Sequence, residues 1–334
     1  MHTNQPSVFQ TNAIWSFSDY LGSVKVRLSI GRKNYKIEPG LYKMGEPDEN
    51  SDVFVTANYK LSFDILRKNL YGKNAWILLL DTKGINVWCA AGKGTFGTKE
   101  LINRINLHNL RTIVSHKRLI LPQLGAPGIA SHIVKKETGF SIKYGPVRAS
   151  DINMYIENGY KTNEIMRSVR FNIKDRILVA PVEIMNSLWQ ILLIIHAFIA
   201  LSGISSSGYS FDKVKHEGLI TAIILLTAYL SGTFLTPVLL PWLPTRYFAG
   251  KGIFIQTLVF LVLIGLGYLK LPYLDLFAWF LISIALSSFL AMNFTGASTY
   301  TSLSGVKKEM KIFIPVQLTV VISGFILFVI SRFV

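Results

Sequence analysis

The sequence predicts an α/β, Rossmann-like domain followed by an all-α domain of five transmembrane helices. Three observations predict it. Strand-like runs alternate with helix-compatible runs between residues 51 and 158, the composition changes abruptly near residue 185, and five long apolar stretches follow that change. The strand-like runs are 51–57 (Ser-Asp-Val-Phe-Val-Thr-Ala), 75–81 (Ala-Trp-Ile-Leu-Leu-Leu-Asp), 117–122 and 141–145. Helix-compatible segments occupy 60–71, 97–108, 128–137 and 150–158. Short apolar runs spaced by helical patterns are what a parallel sheet covered on both faces requires. Ligands bind such sheets just beyond the carboxyl ends of the strands. The polar and glycine-bearing segments fall there: Thr56–Lys60, Asp81–Gly84, Gln123–Gly128 and Gly145–Arg148.

The apolar stretches lie at about 187–205, 218–236, 251–269, 273–293 and 311–331, each near the length that crosses about 30 Å of hydrocarbon as a helix. The expected organisation is an N-terminal extension over 1–37, a cytoplasmic ligand-binding domain over 38–165, a linker over 166–186 and a membrane domain over 187–334. Residues Met1 to Tyr20 lack a signal-peptide core, so the first half is expected in the cytoplasm, on the inner face of the cytoplasmic membrane. Arg167, Arg170, Lys174 and Arg176, then Arg246 and Lys251, then Lys307, Lys308 and Lys311 fall on that side. Apart from Lys251 and Lys311 at the first residues of their stretches, the spans hold almost no ionisable side chain, with His196 in the first and Asp275 near the start of the fourth, and the Pro237, Pro241, Pro244 cluster is read as a loop. That pattern favours an anchor over a transporter.

The net charge is +16, and residues 1–185 hold 26 of 35 Lys+Arg and 15 of 19 Asp+Glu. These charges are interspersed and form no RNP, zinc-finger or basic-helix pattern, so no nucleic-acid partner is expected. A positive domain beside a membrane suits the anionic inner leaflet instead. No GxGxxG follows a strand, and Ala91-Gly92-Lys93-Gly94-Thr95 lacks the glycine spacing of a phosphate loop, which disfavours NAD and ATP.

Cys89 is the only cysteine. It excludes an intrachain disulfide and a cysteine-ligated iron–sulfur cluster within this chain. A thiolate is a soft, strongly donating ligand for a redox metal, and the small residues after it let a large flat group approach the backbone. We read it as a cobalt ligand; a small buried apolar residue is the plain alternative. No Asp-x-His-x-x-Gly run is present to supply a histidine below a corrinoid, so a bound corrinoid needs another lower ligand.

Val55–Lys60, Asp81–Phe96, Gln123–Gly128 and Tyr144–Ala149 resemble the corrinoid domain shared by two families. One is the large subunit of the corrinoid iron–sulfur protein of acetyl-CoA synthesis; the other is the mercury-methylating corrinoid protein family, HgcA. The resemblance covers about residues 38–160. The Trp88-Cys89 pair and the five-span half resemble the mercury methylators, the membrane half in architecture alone. The resemblance implies that 86–93 is a cap helix below a corrin ring with Cys89 as the lower axial cobalt ligand. It implies cofactor contacts from Asn86, Val87, Trp88, Ala90, Ala91, Gly92 and Lys93, and from Thr56, Asn58, Tyr59, Gln123, Gly125, Ala126, Gly145, Pro146, Val147 and Arg148. For Trp88 and Lys93, plain packing and a solvated lysine stay open.

The implied reaction is methyl transfer from methyl-Co(III) to inorganic Hg(II), giving methylmercury. The implied partners are a ferredoxin-like protein with two [4Fe-4S] clusters as electron donor and another protein presenting a folate-type methyl donor. Two other readings stay open: a membrane-anchored corrinoid methyltransferase of one-carbon, acetyl-CoA-type metabolism, and a non-catalytic corrinoid carrier. His108, His116 and His132 are isolated in the sequence, and surface or packing roles suit them better than mercury ligation.

Overall fold

The computed structural model describes residues 7–334; the first six residues of the expected N-terminal extension lie outside the described residues. The chain forms two compact units, 1–26 with 30–169, and 27–29 with 170–334.

In the first unit the strands are β1 (Phe9–Thr11), β2 (Gly40–Met44), β3 (Val53–Ala57), β4 (Ala75–Leu80), β5 (Arg118–Leu121) and β6 (Ser141–Tyr144). They form one sheet in the order β1-β2-β4-β3-β5-β6. β4, β3, β5 and β6 are mutually parallel, whereas β2 runs antiparallel to β4 and β1 parallel to β2. The sheet is therefore mixed, with four of its six strands at the positions expected from sequence. Its helices are α1 (Phe17–Arg27), α2 (Lys60–Asn69), α3 (Val87–Lys93), α4 (Thr98–Leu107), α5 (Leu110–Ile113), α6 (Ser131–Thr138), α7 (Ile152–Glu157) and α8 (Glu164–Arg167).

β4 is buried along its whole length, which explains its unbroken apolar run. Successive side chains then serve two cores: Leu78 and Leu80 pack with Val55, Phe96, Leu101 and Val134 on the face of α3, α4 and α6, while Ile77 and Leu79 pack with Phe63, Leu66, Ile152 and Met166 on the other. The result is a sheet between two helical layers. Residues before the sheet's first parallel strand also belong to it. β1 pairs with β2, and α1 is tied to α2 because Asp19 accepts from Arg67 (2.8 Å) and Lys60 (2.5 Å), both of which also bond Asp64.

The second unit contains α9 (Ile173–Leu201), α10 (Phe211–Leu230), α11 (Thr236–Leu239), α12 (Phe248–Gly265), α13 (Tyr273–Asn293) and α14 (Leu303–Ser331). Five helical segments among the described residues are long and apolar enough to cross a membrane: 173–201, 211–242, 248–265, 273–296 and 304–331. α9 starts well before its apolar stretch because Asn172 and Asp175 close a reciprocal capping box there. The second segment runs on through a π-turn at Ser231–Leu235 into α11. The proline cluster read as a loop therefore begins inside that helix at Pro237. Proline donates no N–H, and the Thr233 and Thr236 hydroxyls bond the Tyr229 and Ser231 carbonyls in the interrupted turn.

The helix ends carry more buried charge than the sequence reading allowed. Arg176 donates to the carbonyls of Val238 and Phe171, Lys251 to those of Leu240 and Leu243, and the Glu309 carboxylate accepts from the Ala249 N–H. At other ends, Arg332 pairs with Glu217 and Asp275. Each group lies beside a helix terminus whose carbonyls or N–H groups have no intrahelical partner. A charge absent from a 19-residue apolar window is thus supplied at its edge.

Candidate cofactor site

The four parallel strands end together, at Ala57, Leu80, Leu121 and Tyr144. Chain order places β4 on one side of β3 and β5 on the other, so the crevice beyond β3 and β5 is a topological switch point, where open α/β sheets bind ligands. A cleft of about 320 Å³ lies there. Thr56, Leu121, Val87, Trp88, Pro146 and Val147 line it, and Asn86 and Gly145 also reach it.

α3 forms the wall that carries the chemistry. Asn86 is its N-cap, and the Asn86 side-chain oxygen accepts from the Cys89 N–H at 2.9 Å. Such a cap satisfies one of the orphan donors of the first turn and is worth about 1 kcal/mol. Val87, Ala90 and Ala91 are buried against the sheet, whereas Trp88, Cys89, Gly92 and Lys93 face outward. The Cys89 thiol is exposed, which overturns the alternative of a small buried packing residue. Trp88 is 46% exposed and so is not a core residue. Gly92 sits within the helix with no atom within 4 Å of where a Cβ would stand. Packing therefore gives no reason for a glycine that costs roughly 0.5–1 kcal/mol in a helix.

The loop before α3 is held from below. The Asn58 side-chain oxygen accepts from the N–H groups of Thr82 and Gly84, both at 3.0 Å, and the Thr82 hydroxyl donates to the Ile85 carbonyl at 2.6 Å. Asn58 is buried, so the structure assigns it to shaping this loop and takes it off the rim. The Glu100 carboxylate, from α4, accepts from the Asp81 N–H and from Arg104. Burial alone would raise the Asp81 carboxyl, but hydrogen bonds from Lys83 hold it below the ordinary range.

The segment Gln123–Gly128 is a 3₁₀ turn packed on α3. A Cβ on Gly128 would stand 2.1 Å from the Phe96 carbonyl oxygen, and one on Gly125 2.5 Å from the Phe96 ring. Gly125 therefore permits close packing of protein on protein. Tyr59 is likewise a core residue. Gln123, Ala126 and Arg148 are half-buried on this edge, outside the cleft.

The sequence-derived residues divide accordingly. Thr56, Asn86, Val87, Trp88, Gly145, Pro146 and Val147 meet at the cleft; Cys89, Gly92 and Lys93 share the outer face of α3; Asn58, Tyr59, Ala90, Ala91 and Gly125 are spent on support. Sequence reasoning placed Thr82, Phe96 and Gly128 within the rim and motif segments without their supporting roles and missed Glu100, because a supporting contact reveals itself only when its partner is in place. Among the described residues no group of three or more His, Cys, Asp or Glu could hold a metal ion. His108 is buried, His116 bonds the Ser51 carbonyl, and His132 is exposed on α6.

Residues 10–156 match the family model of the CO dehydrogenase/acetyl-CoA synthase delta subunit. The chain is similar to the acetyl-CoA decarbonylase/synthase complex subunit gamma of Methanopyrus kandleri, 30% identical over 152 residues, 45% of this chain and 32% of the relative. The corresponding subunit of Methanothermobacter thermautotrophicus is 31% identical over 146 residues, 43% and 31% of the two chains. The corrinoid/iron–sulfur protein large subunit of Moorella thermoacetica is 28% identical over 119 residues, 35% and 26%. The chain thus spans about a third of the length of the curated relatives it matches. These relatives are acetyl-CoA decarbonylase/synthase and corrinoid/iron–sulfur protein subunits.

Proposed function

We propose that the first unit binds a corrinoid against the outer face of α3, with Cys89 as the lower axial ligand of cobalt, and carries methyl groups between a donor and an acceptor. The five apolar helices anchor it in the cytoplasmic membrane with this unit in the cytoplasm. The observation that carries the reading is the exposed thiol of the only cysteine, on an N-capped helix at the carboxyl edge of the sheet, beside a glycine that packing does not require.

The donor set fits the group. A thiolate is a soft ligand suited to cobalt, and the open space above Gly92 leaves room for a macrocycle to lie close. A bound corrinoid supplies a cobalt centre able to accept and release a methyl group. Asn86 holds the turn that presents Cys89, and Asn58 holds the loop that presents Asn86. Phe96 and Gly128 brace the inner side of α3, so that its outer side stays open. Trp88 and Val147 keep one edge apolar and exclude water, and Lys93 and Arg148 offer charge to the cofactor's polar arms. With one cysteine and no cluster of metal-ligating residues among those described, electrons come from another protein, of the ferredoxin type with two [4Fe-4S] clusters. A folate-type methyl donor is presented by a further partner.

The relatives favour an acceptor of one-carbon metabolism. A second acceptor, Hg(II), is favoured by the exposed thiol itself. With a corrinoid bound, the Cys89 thiolate would donate electron density to its metal, which would favour methyl transfer to a soft electrophile. The test is anaerobic purification of the full chain with corrinoid, followed by cobalt spectra of wild type and Cys89→Ala. A spectrum unchanged by the substitution would sink the ligand assignment. Methyl-transfer assays with Hg(II) and with a thiol or carbonyl-pathway acceptor then separate the two readings, and binding with no product from either leaves a corrinoid carrier.

A further inference from the structure

We infer that α1 is a membrane-surface helix that seats the first unit on an anionic lipid leaflet, an inference that rests on the reading of the second unit as membrane-spanning. α1 has its amphipathic faces reversed. Its inward side carries the helix's one carboxylate, Asp19, buried between Arg67 and Lys60, with Ser23 and Val26 buried on the same side. Its apolar side is turned out. Phe17 is 82% exposed, and Tyr20, Leu21 and Val24 are exposed with it at helical spacing, preceded by Ile14 at 70%. An i, i+3, i+4, i+7 apolar stripe normally faces a core, and this one faces outward.

Charge selects lipid as the cover. Residues 14–37 hold Lys25, Arg27, Arg32, Lys33 and Lys36 against a single acid, Asp19, which is turned inward into ion pairs. Lys25, exposed, falls on one flank of the stripe at helical spacing, where it can reach headgroup phosphates while the stripe enters the acyl boundary. Trp15 and Tyr20 lie in edge contact, with Lys68 4.7 Å and 5.2 Å from their ring centroids. Aromatic rings with a lysine beside them suit the headgroup level. A protein partner would need matching acidic residues around an apolar groove. The anionic leaflet offers both properties over a flat surface.

The test uses the full chain in lipid nanodiscs. In a Cys89→Ser background, nitroxide labels are placed at F17C, L21C or V24C, with L193C on the exposed side of α9 as the lipid control and K136C on α6 as the water control. Accessibility to oxygen and to a water-soluble nickel chelate is then compared. In discs with roughly a third anionic lipid, labels at 17, 21 and 24 are expected to favour oxygen several-fold, like the label at 193. They should shift toward the water value in zwitterionic discs or high salt. Chelate accessibility at 17, 21 and 24 equal to that at 136, with 193 in lipid, overturns this inference alone. Protection from both reagents means a protein covers the stripe and also overturns it. A water-exposed label at 193 overturns the membrane reading and this inference with it.

Discussion

The Asn58 side chain makes a sharp test of how the site is held. In Asn58→Ala, the buried Gly84 N–H loses its side-chain acceptor, while the Thr82 N–H keeps a contact to the Leu80 carbonyl at 3.0 Å. An unsatisfied buried donor costs roughly 1–3 kcal/mol, so one full loss and one partial loss give about 2–4 kcal/mol. The penalty falls on the loop 81–86 and on the helix that follows. With about 1.4 kcal/mol per factor of ten, amide exchange of residues 82–91 by local opening should accelerate roughly 30- to 1,000-fold. Hydrogen-exchange mass spectrometry of the full chain in detergent reads this directly. Exchange in the second unit should stay unchanged, since no bond of Asn58 reaches it. Asn58→Asp keeps the acceptor, at the cost of a second carboxylate near Asp81, and should restore part of the protection. An acceleration of less than about threefold in the alanine variant would refute the account of this loop.

Three further outcomes are expected. Gly92→Ala should raise the stability of α3 by about 0.5–1 kcal/mol and weaken corrinoid affinity, so that exchange protection and cofactor titration move in opposite directions; a matched gain in both would remove the cofactor from that face. Gly128→Ala places a Cβ against the Phe96 backbone and should destabilise the first unit by about 1–3 kcal/mol, seen as a lower midpoint for its thermal transition. For Asp19, burial raises the carboxyl's pKa, but hydrogen bonds from Lys60, Ser16 and Arg67 outweigh this and lower it. A carboxyl depressed on folding contributes stability above its unfolded value, near pH 4, and loses it as pH falls through the folded value. Acid titration of wild type against Asp19→Asn should show the difference shrinking below about pH 4, and a constant difference down to pH 2 would contradict this pairing.

The parts of the molecule read correctly from sequence are those in which a residue's neighbours along the chain also decide its environment. The run at 75–80 is strand because continuous apolar residues bounded by polar loops fit a sheet covered on both faces. The apolar helices follow from length and composition in the same way. β2 escaped notice because Gly40–Met44 is short and acquires its strand character only by pairing antiparallel with β4. The inverted face of α1 escaped for a related reason, since Asp19 turns inward only because Arg67 and Lys60 wait there.

The site shows the same division. Sequence alone determined that this chain has one thiol and that it follows an apolar strand beside small residues; these are matters of residue type and order. Only the tertiary structure decided that Cys89 faces outward and Tyr59 inward, that Asn58 holds a loop, and that Gly125 makes room for Phe96 while Gly92 faces open space. Burial and hydrogen-bond partnership depend on segments dozens of residues apart, whose approach is set by the packing of the whole sheet.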